Sequence, residues 1–219
     1  MITFDDIKNN EAIKTYICRA DKSLIELGYT EHSFAHVGMV SNTAKYVLET
    51  LGYSEHDIEL VQIAAYLHDI GNLVNRIEHS QSGAILAFYI LDKMGMCPED
   101  IAIIATAIGN HDEGTGVPVN HIAAALIIGD KTDVRRSRVR NQSYTTFDIH
   151  DRVNYSVEKS VVSINDEKSI ITLNLTIDQK FGSVMDYFEI FTDRMILCRK
   201  AAETLGLKFS LIINGQQLI

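Results

Sequence analysis

The chain has 219 residues, 46% of them hydrophobic and 22% charged, which excludes a disordered chain; 13 Gly and 2 Pro exclude a collagen-like or low-complexity one. Twenty Lys plus Arg against 29 Asp plus Glu leave a net charge of −9, a poor balance for nucleic-acid binding, which depends on neutralising phosphates. No apolar run reaches the roughly 18 residues of a membrane span. The polar, acidic start MITFDDIKNNE does not read as a signal peptide. Three scattered cysteines (Cys18, Cys97, Cys198) without a CxxC pair fit a reducing cytoplasm.

Residues 1 to about 135 read as six helices. The first carries Ile13, Ile17, Leu24 and Leu27 at helical spacing and stops at Gly28; the second carries Val37, Val40, Ala44, Val47 and Leu51 and stops at Gly52. Ser54 is a plausible cap for EHDIELVQIAAYLHDIG, whose end is apolar nearly all round and therefore predicts a buried central helix. SGAILAFYILDKMG, PEDIAIIATAIGNH (with Pro98 in its first turn) and VNHIAAALIIGDKTD supply the rest.

The period then changes. Ile149, Val153, Tyr155 and Val157 alternate with polar residues, as do Ile171, Leu173, Leu175 and Ile177, and Asn165-Asp166 lies between the two runs; this predicts a β-hairpin. A helix over 183–205 should bury Phe188, Phe191 and Met195, and LKFSLII supplies a third strand. The expected fold is mainly α: a helical domain over residues 1–140, a junction near 139–146, and a small ββαβ unit over 147–219. Its three strands are expected to be antiparallel, with the helix on one face. Exposed sheet edges often pair, so this unit is a candidate homodimer surface.

The chemistry centres on His68-Asp69, at the end of the most buried helix. Imidazole is a good ligand for first-row transition metals, a carboxylate can bridge two ions, and a charge deep in an apolar bundle needs a compensating cation. Four more helices bring His36, His79, His111 and Asp130 to or near their ends, and bundle cores are a common place to assemble such sites. His32, one turn before His36, could also face the site. His56, His121 and His150 read as structural or solvent-exposed.

The order H…HD…H…H…D over about residues 30–138 resembles the HD superfamily of metal-dependent phosphohydrolases, specifically its two-metal members. The resemblance implies an HD-type helical bundle in which His36, His68, Asp69 and Asp130 hold one ion while Asp69, His79 and His111 hold a second. Both would be divalent transition metals: Fe, Mn, Ni, Co or Zn. The stretches AIGNHDEGTG and GDKTDVRRSR look similar to bacterial diadenosine tetraphosphatases; HDIG, HSQSGAIL and NHDEGTGVP look similar to HD-GYP phosphodiesterases. Asn72, Asn110 and Val117 depart from the second group and argue against a third metal.

Residues 131–140, KTDVRRSRVR, hold five basic residues and one acid. Arginine suits bidentate phosphate recognition, so Arg135, Arg136 and Arg138 are candidate phosphate-gripping residues beside Asp130. Asp112 and Asp133 join Asp69 as candidate catalytic carboxylates. The implied activity is hydrolysis of a phosphoester or phosphoanhydride, in a nucleotide or other small phosphorylated metabolite, by a metal-bridged hydroxide. The competing reading is a metal- and nucleotide-binding sensor with little turnover.

Overall fold

A computed structural model describes residues 2–219. Seven α-helices precede residue 135: α1 (Phe4–Asn9), α2 (Glu11–Glu26), α3 (Phe34–Leu51), α4 (Glu55–Leu67), α5 (His79–Met94), α6 (Pro98–Gly109) and α7 (His121–Lys131). The sequence suggested six. The extra helix, α1, spans only six residues, too few to display a period, and depends on its termini instead. Thr3 and Asp6 form a capping box at its start, and the Asn10 carboxamide caps α2 by accepting from the Ala12 and Ile13 amides.

Helix α4 is the central helix that its apolar composition predicts. Leu60, Val61, Ile63, Ala64, Ala65 and Leu67 are buried, and α3, α6 and α7 pack around it. Two glycines permit the close approaches. A Cβ on Gly129 would lie 2.7 Å from the Val40 carbonyl oxygen, so α7 can press against α3. A Cβ on Gly71, in the 3-10 turn Ile70–Leu73 that follows the HD pair, would lie 1.9 Å from the His79 carbonyl oxygen. Removing the side chain brings this turn against the start of α5.

The C-terminal part differs from expectation in three respects. Residues 149–156 form helix α8 (Ile149–Ser156), and β1 (Val157–Ile164) begins only after it. The apolar alternation there is broken by Asp151, whereas Ile149 and Val153 stand one helical turn apart, and Asp148 caps the helix by accepting from the Asp151 amide. β2 (Ile170–Ile177) pairs antiparallel with β1, Val162 opposite Leu173. β3 (Lys208–Ile213) then pairs with β2 in parallel, not antiparallel, Leu173 opposite Leu211. The parallel pairing follows from the crossover through α9 (Val184–Thr204) between these neighbouring strands. A fourth strand, β4 (Gln216–Gln217), folds back through Asn214-Gly215, both at positive φ, giving the order β1-β2-β3-β4.

Helix α9 packs on β3 and also on α7. Its buried residues, among them Phe191, Met195, Cys198 and Ala202, join one continuous apolar cluster with those of α3, α4 and α7. Strand β1 is tied to the helices as well: the Ile164 amide donates to the Tyr46 hydroxyl, and the Ser160 hydroxyl donates to the Thr132 carbonyl. Among the described residues, no helix is long and apolar enough to cross a membrane.

Candidate metal centre

Five segments deliver polar side chains to one buried point: the first turn of α3 (His36), the end of α4 (His68, Asp69), the first residue of α5 (His79), the residue pair beyond α6 (His111) and the last turn of α7 (Asp130). All six are buried. Around Asp69 and Asp130 the distances are short. His36 Nε2 lies 3.5 Å from Asp69 Oδ2 and 3.4 Å from Asp130 Oδ1; His68 Nε2 lies 3.3 Å and 3.6 Å from the same two atoms. His79 Nε2 is 3.5 Å from Asp69 Oδ1 and 3.2 Å from His111 Nε2.

The outer nitrogen of each imidazole has a partner. His68 Nδ1 is 2.7 Å from the Ala65 carbonyl, His79 Nδ1 is 3.1 Å from the Arg76 carbonyl, and His111 Nδ1 is 2.6 Å from the Ile108 carbonyl. His36 Nδ1 is 2.7 Å from Asp133 Oδ2. A carbonyl can only accept, which assigns a hydrogen to Nδ1 and turns Nε2 inward as the nitrogen through which such an imidazole binds metal. Three inward atoms, His36 Nε2, His68 Nε2 and Asp69 Oδ2, are buried without any hydrogen-bond partner. Each such orphan ordinarily costs about 1–3 kcal/mol. A divalent cation answers all three, and the mixed imidazole–carboxylate set suits a transition metal. His36, His68 and Asp130 form one trio of donors whose ligand atoms all lie within 4.8 Å of one another; His68, Asp69 and His111 form a second.

The electrostatics agree. Burial alone would lower the His68 imidazole, but Asp69 and Asp130 outweigh it and push it up to about 10, the behaviour of a cluster that attracts cations. Burial and the neighbouring cations His68 and Lys131 hold His111 well below its ordinary value, so it stays neutral. Burial holds His79 and His32 low as well. Asn72, buried in the 3-10 turn, donates from Nδ2 to Asp69 Oδ1 at 2.9 Å and fixes that carboxylate.

The other candidate residues are placed as follows. The His32 ring packs edge-on against His36, centroids 5.4 Å apart, with Nδ1 held by the Thr30 carbonyl. Asp112 is half-buried in a cleft of about 350 Å³ that opens beside His79 and is also lined by Arg76, Ser80, Gln81 and Thr115. Asp133 sits behind His36 and is shared with Arg135 and Arg138; it orients the imidazole from outside the donor cluster.

The arginines of the basic run are engaged elsewhere. Arg135 pairs with Asp133 at 2.7 Å and Glu31 at 3.2 Å. Arg138 is buried and donates to the Glu31 and Asp133 carbonyls. Arg136 turns toward the C-terminal part, where Nε donates to the Tyr155 carbonyl at 2.6 Å and the guanidinium lies over the Tyr155 and Phe181 rings. An arginine that does face the donors, from the side of the cleft, is Arg76, which the sequence pattern did not single out. Its Nη1 lies 3.4 Å from Asn72 Oδ1, 3.4 Å from His79 Nε2 and 3.9 Å from Asp69 Oδ1. Its spacing carried a signal: Arg76 follows Asn72 by four residues and precedes His79 by three.

The family model of the HD domain matches residues 33–116, a stretch that includes His36, His68, Asp69, His79 and His111. The chain is 28% identical to an uncharacterized protein of Methanocaldococcus jannaschii over 76% of this chain and 73% of that one. A crystal structure described as a predicted HD superfamily hydrolase, from an uncultured Thermotogales bacterium, aligns with 57% of this chain and 67% of its own at 22% identity and a TM-score of 0.46.

Proposed function

We propose that this protein is a metal-dependent phosphohydrolase that cleaves a phosphoester or phosphoanhydride in a small phosphorylated metabolite such as a nucleotide. The observation that carries this reading is the set of inward-facing imidazole nitrogens and carboxylate oxygens, three of them orphaned, one member of which, His79, lines a cleft together with Arg76. The HD-domain match over residues 33–116 supports it. His36, His68, Asp69 and Asp130 would hold one divalent ion, and Asp69, His79 and His111 a second. When bound, such ions supply a Lewis acid for phosphoryl oxygens and lower the pKa of an attacking water.

The chain's own residues set up the rest. Asp133, the Ala65, Arg76 and Ile108 carbonyls and Asn72 hold the donors in place from behind. Arg76 takes the role that the sequence suggested for Arg135, Arg136 and Arg138. Its contacts with the cluster are long, so its guanidinium is available to a non-bridging phosphate oxygen entering beside His79. Asp112 lines the same cleft and would exchange a proton with the leaving oxygen.

Metal analysis of the purified chain, followed by a screen of phosphomonoesters, phosphodiesters and nucleotides, tests the proposal. Bound transition metal and turnover, both lost in Asp69→Ala, are the expected result. A metal-replete protein with no turnover on any of them would reject the enzyme in favour of a binding role.

A further inference from the structure

A second polar chain runs from the centre into the C-terminal part of the molecule. Asp130, which offers Oδ1 to the imidazoles, has its other oxygen 2.7 Å from Lys131 Nζ. Lys131 is almost wholly buried, and its ammonium also meets Glu113 Oε2 at 2.5 Å. The other Glu113 oxygen accepts from Arg194 Nε at 2.9 Å. Arg194 belongs to α9, and its guanidinium also lies 4.4 Å from the Phe191 ring centroid.

This chain of ion pairs joins three segments. Glu113 lies two residues beyond His111, in the loop after α6; Lys131 adjoins Asp130 at the end of α7; Arg194 comes from α9, between β2 and β3 in the chain. The loop is a tight one, with the Gly116 amide donating to the Asp112 carbonyl at 2.6 Å, and it makes one wall of the cleft. Burying an ammonium among apolar neighbours is costly unless it is fully paired. Lys131 is therefore not free to release Glu113, and Glu113 is not free to leave Arg194. The charges alternate along the line, carboxylate, ammonium, carboxylate, guanidinium, so each member holds its neighbours.

We propose that Arg194 is a positioning residue for the metal centre: by gripping Glu113 it fixes both the loop that carries His111 and, through Lys131, the orientation of Asp130. The C-terminal part thereby completes the site instead of merely being attached to it. This inference rests on reading His111 and Asp130 as metal ligands, but not on the reaction proposed above. Partners of this kind, which act on a metal only through its ligands, typically change affinity by about 10- to 100-fold.

The test compares the full-length wild type with Arg194→Gln, Glu113→Gln, the double variant, and Met195→Ala as a packing control on the same helix. Hydrogen exchange is measured on metal-free protein, the affinity for Mn²⁺ by titration, and Tm on both forms. Arg194→Gln is expected to speed exchange selectively across residues 110–117 and to weaken Mn²⁺ binding by about 10- to 100-fold. The double variant should lose no more than the worse single one, because both break the same link. Met195→Ala should lower Tm while leaving Mn²⁺ affinity near wild type. Arg194→Gln behaving like Met195→Ala, or leaving exchange and affinity unchanged, would overturn the proposal. If the wild type binds no metal, the phosphohydrolase reading fails separately, and the exchange comparison still decides whether Arg194 holds the loop.

Discussion

His79 and His111 face each other Nε2 to Nε2 at 3.2 Å, while the Nδ1 of each is held by a backbone carbonyl. Both carbonyls accept, so both inward nitrogens carry lone pairs, and two lone pairs at that distance repel unless a cation lies between or beside them. Asp69 Oδ1, 3.5 Å from His79, completes a three-donor set. His111→Ala should therefore reduce the bound metal from two equivalents to one, whereas Asp69→Ala, which removes the donor common to both sets, should remove both. Elemental analysis of the purified variants measures this directly. A full metal complement in His111→Ala would show that these two histidines do not hold an ion.

The contact between Gly71 and the His79 backbone predicts a stability effect. A methyl group there would meet the His79 carbonyl oxygen at 1.9 Å and the Gly83 amide at 2.5 Å, both backbone atoms that cannot rotate away. Overpacking of this kind typically costs about 1–3 kcal/mol or more. Gly71→Ala should lower Tm by several degrees and displace His79 as the turn and α5 separate, so metal affinity should fall with it. Thermal unfolding at matched metal concentration checks this; a Tm at the wild-type value would mean that the turn can shift at no cost.

The helical part and its polar ends were largely legible in the sequence because the periodic apolar stripes end where the histidines and aspartates begin. His36, His68, Asp69, His79, His111 and Asp130 could be grouped in this way, and the structure brings all six together. The partners of the arginines were not legible. Arg135 and Arg138 are bound to Glu31 and Asp133, and Arg136 to the Tyr155 carbonyl, all contacts set by tertiary packing. Residues 149–156 misled because a short amphipathic helix and an imperfect strand share the same apolar positions. Lys131 offered a usable hint: a lysine inside an otherwise apolar helix end, beside an aspartate, is one that folding must pair.

Glu113 predicts an acid-side stability effect. Burial alone would raise its carboxyl, but Lys131 and Arg194 outweigh burial and hold it well below its ordinary 4.5. A carboxyl with a depressed folded value stabilises the protein fully above the unfolded value, and that contribution is lost as pH falls toward the folded one. Metal-free wild type should thus lose stability more steeply below about pH 4.5 than Glu113→Gln, and the gap between them should narrow on acidification. Chemical denaturation of both proteins between pH 3 and 7, in roughly half-unit steps across the interval defined by that shift, measures it. Parallel pH profiles would mean that Glu113 does not carry this charge in the folded state.

Arg76 and Arg136 separate a phosphate-gripping residue from a structural one. Arg76 stands at the cleft with its guanidinium 3.4 Å from His79 and Asn72, 3.9 Å from Asp69 and 5.4 Å from the Tyr29 ring centroid, and part of its side chain reaches solvent. Arg136 lies over the Tyr155 and Phe181 rings and donates to the Tyr155 carbonyl at 2.6 Å, with its side chain 35% exposed. Removing a guanidinium that aligns a phosphate can cost on the order of 100-fold in rate. Removing one that stacks on aromatic rings at a partly exposed site costs about 1 kcal/mol of stability. Arg76→Ala should therefore lower kcat/KM by about 10- to 100-fold with both metals still bound, and inorganic phosphate should bind it more weakly. Arg136→Ala should lower Tm modestly and leave kcat/KM within a few-fold of wild type. Steady-state kinetics on the best substrate, phosphate titration and metal analysis on the two variants distinguish them. The reverse outcome, with Arg136→Ala losing turnover at an unchanged Tm and Arg76→Ala fully active, would return the phosphate to the basic run and remove it from the cleft beside His79.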